Sequence, residues 1–165
     1  MAESLTEDDD AIARFRRAAG FWLVGLRTSE EIVDAAACAL VEGLDTPKLR
    51  ILAGVPRRDA TSDVPDLLRW TYEELALGSL PDRETDDARL VGATEIAKAI
   101  LDGELAPSSG AFQIYTVFLP EYPTVAMPFL RLSDEYGLVP DFTHRTFEQI
   151  DNAVRQQAQL LIGTG

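Results

Sequence analysis

The stretch Thr28–Pro47, TSEEIVDAAACALVEGLDTP, decides the fold class because it contains the signals for one complete helix and the start of the next. Thr28 and Glu31 have the spacing of a capping box, in which each side chain pairs with the backbone N–H of the other residue. Gly43 predicts the end of this helix. Either Asp45 or Thr46 can cap the next one, with Pro47 in its first turn, where the missing N–H is harmless. The stretch therefore predicts two consecutive helices joined by a short turn.

The inward face of the first of these helices is predicted from apolar residues at three- and four-residue steps, namely Ile32, Ala36, Ala39 and Leu40. Because the alanines are small, another helix can approach this face closely. Cys38 lies among the same alanines, so we expect a reduced thiol that packs as a small hydrophobic side chain. A lone cysteine cannot form an internal disulfide, which favours a cytoplasmic protein.

The same helical spacing recurs along the rest of the chain. The predicted helices begin near Thr6, Thr28, Thr46, Ser62, Leu90, Ala111 and Pro128, and after a cap at Asp141 or Thr143. Residues 111–119 also suit a strand, but no second strand is available for pairing, so we predict a buried helix. The chain is thus predicted to be all-α, an irregular orthogonal bundle of about seven or eight helices.

Length and composition predict one globular domain over residues 1–165, since 46% of the residues are hydrophobic and 26% are charged. We expect the ends, 1–8 and 163–165, to fray. The polar segment 79–87 is the predicted internal hinge. The first ten residues include no Lys or Arg, and no apolar run approaches the ~20 residues of a membrane span, so we expect neither a secretory signal nor a membrane helix.

The charge balance is strongly acidic, with 28 Asp and Glu against 15 Lys and Arg and a formal net charge of −13. Such a chain repels phosphate backbones and anionic membrane surfaces, so we expect no nucleic-acid or membrane partner. It would associate faster with a basic protein. An acidic surface also keeps a cytosolic protein soluble without any partner.

The chain is poor in the groups that common reaction centres need, because it has one histidine, His144, and one cysteine, Cys38. It also has no glycine-rich phosphate loop. The acidic run Asp8–Asp10 matches the positive end of a helix dipole better than a metal site. Arg57 and Arg58 are expected to pair with nearby carboxylates. We therefore predict no catalytic, cofactor or metal-binding residues, and no cofactor.

Residues 39–54, ALVEGLDTPKLRILAG, resemble a GLDSPxLRxLAG segment of a group of uncharacterised bacterial helical proteins. Residues 97–118 are similar to a second segment of that group, in which DGEL(D/S)P precedes a helix with an aromatic centre. Thr46 stands where those proteins have Ser, which preserves the capping hydroxyl. The resemblance implies a small bacterial helical fold and brings no assigned activity.

Two hypotheses for function remain open. The favoured one is a non-enzymatic protein-interaction module, an adaptor or immunity-type protein whose acidic surface meets a protein of basic character. Its candidate contact residues form an apolar and an acidic group, namely Tyr122, Met127 and Phe129, and Asp82, Glu84, Asp86 and Asp87. The alternative is a small enzyme or small-molecule binder that uses carboxylates with a tyrosine or His144. Homo-oligomerisation through Phe21 and Trp22 is compatible with both.

Overall fold

The computed structural model describes residues 2–121, 123–138 and 144–163, with side chains from residue 9 onward. Within these residues the chain forms helices and turns and no strand, which confirms the predicted all-α helix bundle. The helices are α1 (Ala2–Leu23), α2 (Ser29–Val41), α3 (Pro47–Ala53), α4 (Ala60–Glu74), α5 (Asp86–Leu101), α6 (Pro107–Val117), α7 (Met127–Leu138) and α8 (Phe147–Gly163). The ambiguous segment 111–119 therefore lies mostly in α6, as predicted.

The chain divides into two compact units, a first unit (Met1–Ala88) and a second unit (Arg89–Gly165). In the first unit α1, α2, α3 and α4 each pack against the next, and α2 also contacts α4. In the second unit α6, α7 and α8 pack against one another. The predicted hinge at 79–87 lies at the end of the first unit and stays a prediction.

The capping residues named in the sequence hold the starts of α2 and α3. The Glu31 N–H donates to Thr28 Oγ1 at 3.3 Å, and the Thr28 N–H donates to Glu31 Oε2 at 2.7 Å. This backbone bond keeps the pKa of Glu31 below its usual value. Thr46 Oγ1 accepts from the Leu49 N–H at 3.4 Å, with Pro47 in the first turn. Local chemistry thus sets both helix starts, as predicted.

The core of the first unit includes Phe15 and several fully buried aliphatic side chains. Ile32, Leu49 and Leu68 are fully buried, and the Phe15 and Tyr72 rings lie 6.2 Å apart. Full burial of one such side chain stabilises a fold by about 1.5–3 kcal/mol. The core therefore accounts for the compactness of this unit.

Both tryptophans lie in the first unit next to a cationic side chain. Trp22 is buried, donates from Nε1 to Ser29 Oγ at 3.1 Å, and has the Arg83 guanidinium 4.7 Å from its ring centre. Trp70 is 45% exposed, and Lys48 Nζ lies 5.1 Å from its ring centre. Because Trp22 is buried, its ring is not exposed for the predicted homo-oligomer contact through Phe21 and Trp22.

Two further expectations are wrong in detail. Cys38 is exposed, because α2 turns Ile32, Val33, Ala36 and Ala39 inward and leaves Cys38 on the opposite side. Helix α1 begins at Ala2, so residue 6 lies inside the helix and is not its cap.

Helix α8 begins at Phe147, and a capping box that the sequence analysis missed holds its start. The Gln149 N–H donates to Thr146 Oγ1 at 3.3 Å, and the Thr146 N–H donates to Gln149 Oε1 at 2.9 Å. The predicted caps Asp141 and Thr143 lie outside the described residues. The T-x-x-Q pattern at 146–149 was the available signal.

Candidate interaction surface

A shallow apolar groove lies in the second unit between the start of α7 and the last turns of α8. Its volume is about 370 Å³. Its lining comes from both elements, namely Thr124, Val125, Pro128 and Phe129 on one side and Gln157, Leu160 and Leu161 on the other. The groove is therefore built from two segments that are about 30 residues apart in the sequence.

Local turn geometry positions the α7 wall of the groove. The Ala126 N–H donates to the Pro123 carbonyl at 2.9 Å, and the Phe129 N–H donates to the Ala126 carbonyl at 3.1 Å. These bonds turn the chain into α7 and place Phe129, which is 1% exposed, at the base of the groove. On the α8 wall, Leu160 is 61% exposed and forms the rim.

None of the described residues that line the groove is charged, although 26% of the chain is charged. Its α7 wall lies in the nine-residue uncharged run between Glu121 and Arg131, and its α8 wall follows Arg155, the last charged residue of that helix. Exposed helix faces of acidic proteins usually carry charge, which prevents association. The fold therefore brings two neutral segments together at the surface of a strongly acidic chain.

A second depression, mostly polar and about 380 Å³ in volume, lies along the first half of α8. It is lined by His144, Arg145, Gln149, Asn152, Ala153 and Gln156. Arg145 donates to Glu135 Oε2 at 3.2 Å, and Arg155 donates to Asn152 Oδ1 at 3.2 Å. Among the described residues that line this depression there is no Asp or Glu.

The predicted apolar contact residues are only partly at the surface. Met127 is half-buried. Phe129 is buried, so an exposed aromatic patch at this residue is wrong, and its ring serves as the floor of the groove instead. Tyr122 lies outside the described residues. Thr124, Val125, Gln157 and Leu160 were missed, and the absence of charge over 122–130 and 156–163 is the signal that could have identified them.

The predicted acidic contact residues Asp82, Glu84, Asp86 and Asp87 are all exposed. Asp82 is paired with Arg69 at 2.5 Å, so its charge is partly neutralised. Asp86 and Asp87 lie in the first turn of α5, where negative charge interacts favourably with the positive end of the helix dipole. The four residues are close in sequence and all lie at the surface.

Tyr136 and Asp151 form a hydrogen-bonded pair between α7 and α8. The Tyr136 hydroxyl donates to Asp151 Oδ1 at 2.5 Å. The Tyr136 ring stacks on the Phe147 ring, with 6.3 Å between the ring centres. Burial, together with the carboxylate of Asp151, raises the pKa of Tyr136 above its usual value. A tyrosine held neutral in this way joins the two helices and is a poor proton donor or nucleophile at neutral pH.

The two remaining candidates from the sequence are the basic residue Arg57 and a cluster of metal-binding side chains. Arg57 lies 3.1 Å from Glu30 and 3.2 Å from Asp34, as expected for an arginine in an acidic chain. Among the described residues, no three His, Cys, Asp or Glu side chains gather closely enough to hold a metal ion. None of the described helices is both long and apolar enough to cross a bilayer.

Comparison of the chain with protein families, curated proteins and solved structures finds no match in any of the three.

Proposed function

We propose that this chain is a protein-interaction module and that the apolar groove of the second unit is its docking face. The observation that supports this proposal is the neutral lining of the groove in a chain with a net charge of −13. Protein interfaces typically have an apolar centre in which charged residues are depleted. We further propose an adaptor or immunity-type role in the cytoplasm.

The dimensions of the groove suit one or two bulky apolar side chains of a partner protein. Its lining includes the buried Phe129 and the largely exposed Leu160, which offers an aliphatic surface to cover. A buried apolar anchor that enters such a pocket typically contributes about 2 kcal/mol or more to binding. The groove would therefore supply affinity and a defined orientation.

The acidic remainder of the chain would act at longer range. Exposed carboxylates such as Glu84, Asp86 and Asp87 favour the approach of a basic protein and disfavour nucleic acid. This steering is screened at high ionic strength, whereas apolar contact in the groove is not. We therefore propose a partner with a basic surface and an apolar anchor.

The alternative function, a small enzyme or small-molecule binder, has less support. The described residues that line these two depressions include no Asp or Glu, although that hypothesis requires converging carboxylates. Asp151, which is close to a tyrosine, is already hydrogen-bonded to Tyr136.

Quantitative affinity purification from the native cell tests the proposal. Thr124→Glu places a carboxylate in the groove at an exposed position, so the fold should be retained. Thr61→Glu makes the same change at an exposed position of α4 in the first unit. The expected result is a stoichiometric protein partner recovered with the wild type and with Thr61→Glu, and lost with Thr124→Glu.

Two results would contradict the proposal. One is equal recovery of the partner with Thr124→Glu and with the wild type. The other is recovery of the chain alone together with a bound metabolite, which would favour the alternative function. A separate measurement tests the proposed electrostatic attraction. The association rate with the purified partner should fall as the salt concentration is raised, because salt screens the exposed carboxylates.

A further inference from the structure

The exposed face of α4 places a large aromatic side chain among carboxylates. Trp70 is 45% exposed, and its indole N–H has no acceptor among the described residues. At 100° per residue, all the acidic residues of this helix lie within about 60° of Trp70 around the helix axis. They are Asp63, Asp66, Glu73 and Glu74, and all are exposed. The face therefore combines a partly exposed ring with negative charge on both sides of it along the helix.

Little cationic charge compensates these carboxylates. Arg69 is the one basic residue of α4, and it lies 3.9 Å from Asp66 while it is also paired with Asp82 at 2.5 Å. Within the described part of the chain, Asp63 and Glu73 have no Lys or Arg at ion-pair distance. The face around Trp70 therefore carries an excess of negative charge.

Lys48 shows that the Trp70 ring attracts a cation in this setting. Lys48 Nζ lies 5.1 Å from the ring centre, within the range of a cation–π contact. The backbone N–H of Lys48 also donates to Glu74 Oε2 at 2.8 Å, which fixes the start of α3 beside this face. Because the ring remains 45% exposed with Lys48 in place, a cation from outside the chain can reach it too.

We infer that this face binds an extended, arginine-rich segment of a partner protein. Charge complementarity selects a cationic occupant. Arginine fits better than lysine, because a guanidinium stacks on an aromatic ring and also pairs bidentately with a carboxylate.

The spacing along α4 suits a segment of the form R-x-R-x-R. At 1.5 Å per residue, Asp66 lies about 6 Å before Trp70 along the helix axis, and Glu74 lies about 6 Å after it. Alternate residues of an extended chain are about 6.6 Å apart and point to the same side. The central guanidinium of such a segment therefore reaches the ring while the outer two reach carboxylates.

This contact goes beyond the proposed function, because it belongs to the first unit and none of its residues lines the groove. The groove offers a neutral lining to an apolar anchor, whereas the α4 face offers carboxylates and one ring to guanidinium groups. The first unit thus has a binding face of its own, with a different ligand chemistry.

Titration of the isotope-labelled chain with the end-capped peptide Gly-Arg-Gly-Arg-Gly-Arg-Gly, followed by nuclear magnetic resonance, tests the contact. At about 0.15 M salt, attraction between distant charges is largely screened. The Trp70 indole N–H resonance is expected to shift saturably with a Kd of about 1 mM or tighter, while that of the buried Trp22 stays in place. The lysine peptide of the same length and charge should bind about twofold more weakly or worse, because an ammonium has no planar group to stack.

Variants locate the binding on this face. Trp70→Leu keeps an apolar side chain but removes the π-face, so peptide binding, read from the α4 backbone amides, should weaken about threefold or more. Lys48→Gln removes a competing cation and should strengthen it. Glu73→Gln should weaken binding about twofold, whereas Glu148→Gln, the same change at an exposed position of α8, should not. Thr124→Glu should leave peptide binding unchanged while removing the partner of the groove, so the two proposals can fail independently.

Four results would overturn this inference. They are a Trp70 resonance that stays in place up to about 10 mM peptide, equal affinity of the wild type and Trp70→Leu, equal affinity of the two peptides, and equal losses in Glu73→Gln and Glu148→Gln. Equal losses would mean that the net charge of the chain, and not this face, attracts the peptide. Circular dichroism identifies a variant that has lost its fold, and the comparison of the two peptides on the wild type needs no variant.

Discussion

Replacing Gly110 with alanine should destabilise the second unit, although the same change usually stabilises a helix. Gly110 is buried in α6 and lies against α5. A Cβ at this position would overlap Cδ1 and Cγ1 of Ile100 and would lie 3.3 Å from Leu105 Cδ2. Ile100 is itself fully buried, so its side chain has little room to move.

The sign follows from comparing two magnitudes. Alanine gains about 0.8–1.0 kcal/mol over glycine inside a helix. Overpacking of a closed core costs about 1–3 kcal/mol. Because Gly110→Ala overlaps two atoms of one side chain and crowds a third atom from Leu105, the cost lies in the upper part of that range. We expect a net loss of about 1–2 kcal/mol.

Hydrogen exchange of the α6 amides, read by mass spectrometry, measures this loss locally. Gly137→Ala in α7 is the matched control, because its Cβ would meet nothing within 4 Å, and it should stabilise by about 0.5–1 kcal/mol. Ile100→Val should cost less in the Gly110→Ala background than alone, since it removes one overlapping atom. Slower α6 exchange in Gly110→Ala than in the wild type refutes the reasoning.

Because the pKa of Glu31 is lower in the folded chain than in the unfolded chain, its ionised side chain stabilises the fold at pH values above the unfolded-state pKa. This contribution is lost as the pH falls through the folded-state pKa. The difference in urea midpoint between wild type and Glu31→Gln should therefore shrink from about pH 7 to about pH 3, and a constant difference would contradict the capping account. Thr146→Val removes the hydroxyl that accepts from Gln149 N–H, so thermal unfolding should show a loss of about 1 kcal/mol, and no loss would mean that the cap is unimportant. Because Cys38 is exposed, a water-soluble thiol reagent should modify it completely in the native state; modification only after denaturation would place the thiol in the core.

The helical fold could be predicted because its signals are local. Periodic apolar residues and the Thr28 and Thr46 caps set helix type and start from within a few residues. The wrong placement of Cys38 has the same origin. Helix α2 has alanine at 35, 36, 37 and 39, so hydrophobicity hardly distinguishes its inner from its outer face over these residues. Where the side chains lack contrast, the pattern does not set the rotation of the helix.

The candidate surface could not be predicted in the same way, because it depends on which segments meet in three dimensions. Phe129 has the character of an exposed aromatic anchor in a proline-rich segment, yet it is covered at the base of the groove. Leu160 and Gln157 reach that groove from a helix about 30 residues further along the chain. Neutral sequence runs indicate that such segments are unusual, but only the fold brings them together.

The positions of Trp22 and Trp70 make intrinsic fluorescence an optical label for one half of the molecule. Both indoles belong to the first unit, and the second unit contains none. Acrylamide should quench the emission of Trp70 and spare that of Trp22, which is shielded beneath the Arg83 guanidinium. A denaturation curve recorded by tryptophan emission therefore follows α1 to α4, and its offset from the ellipticity curve measures how independently the two units melt.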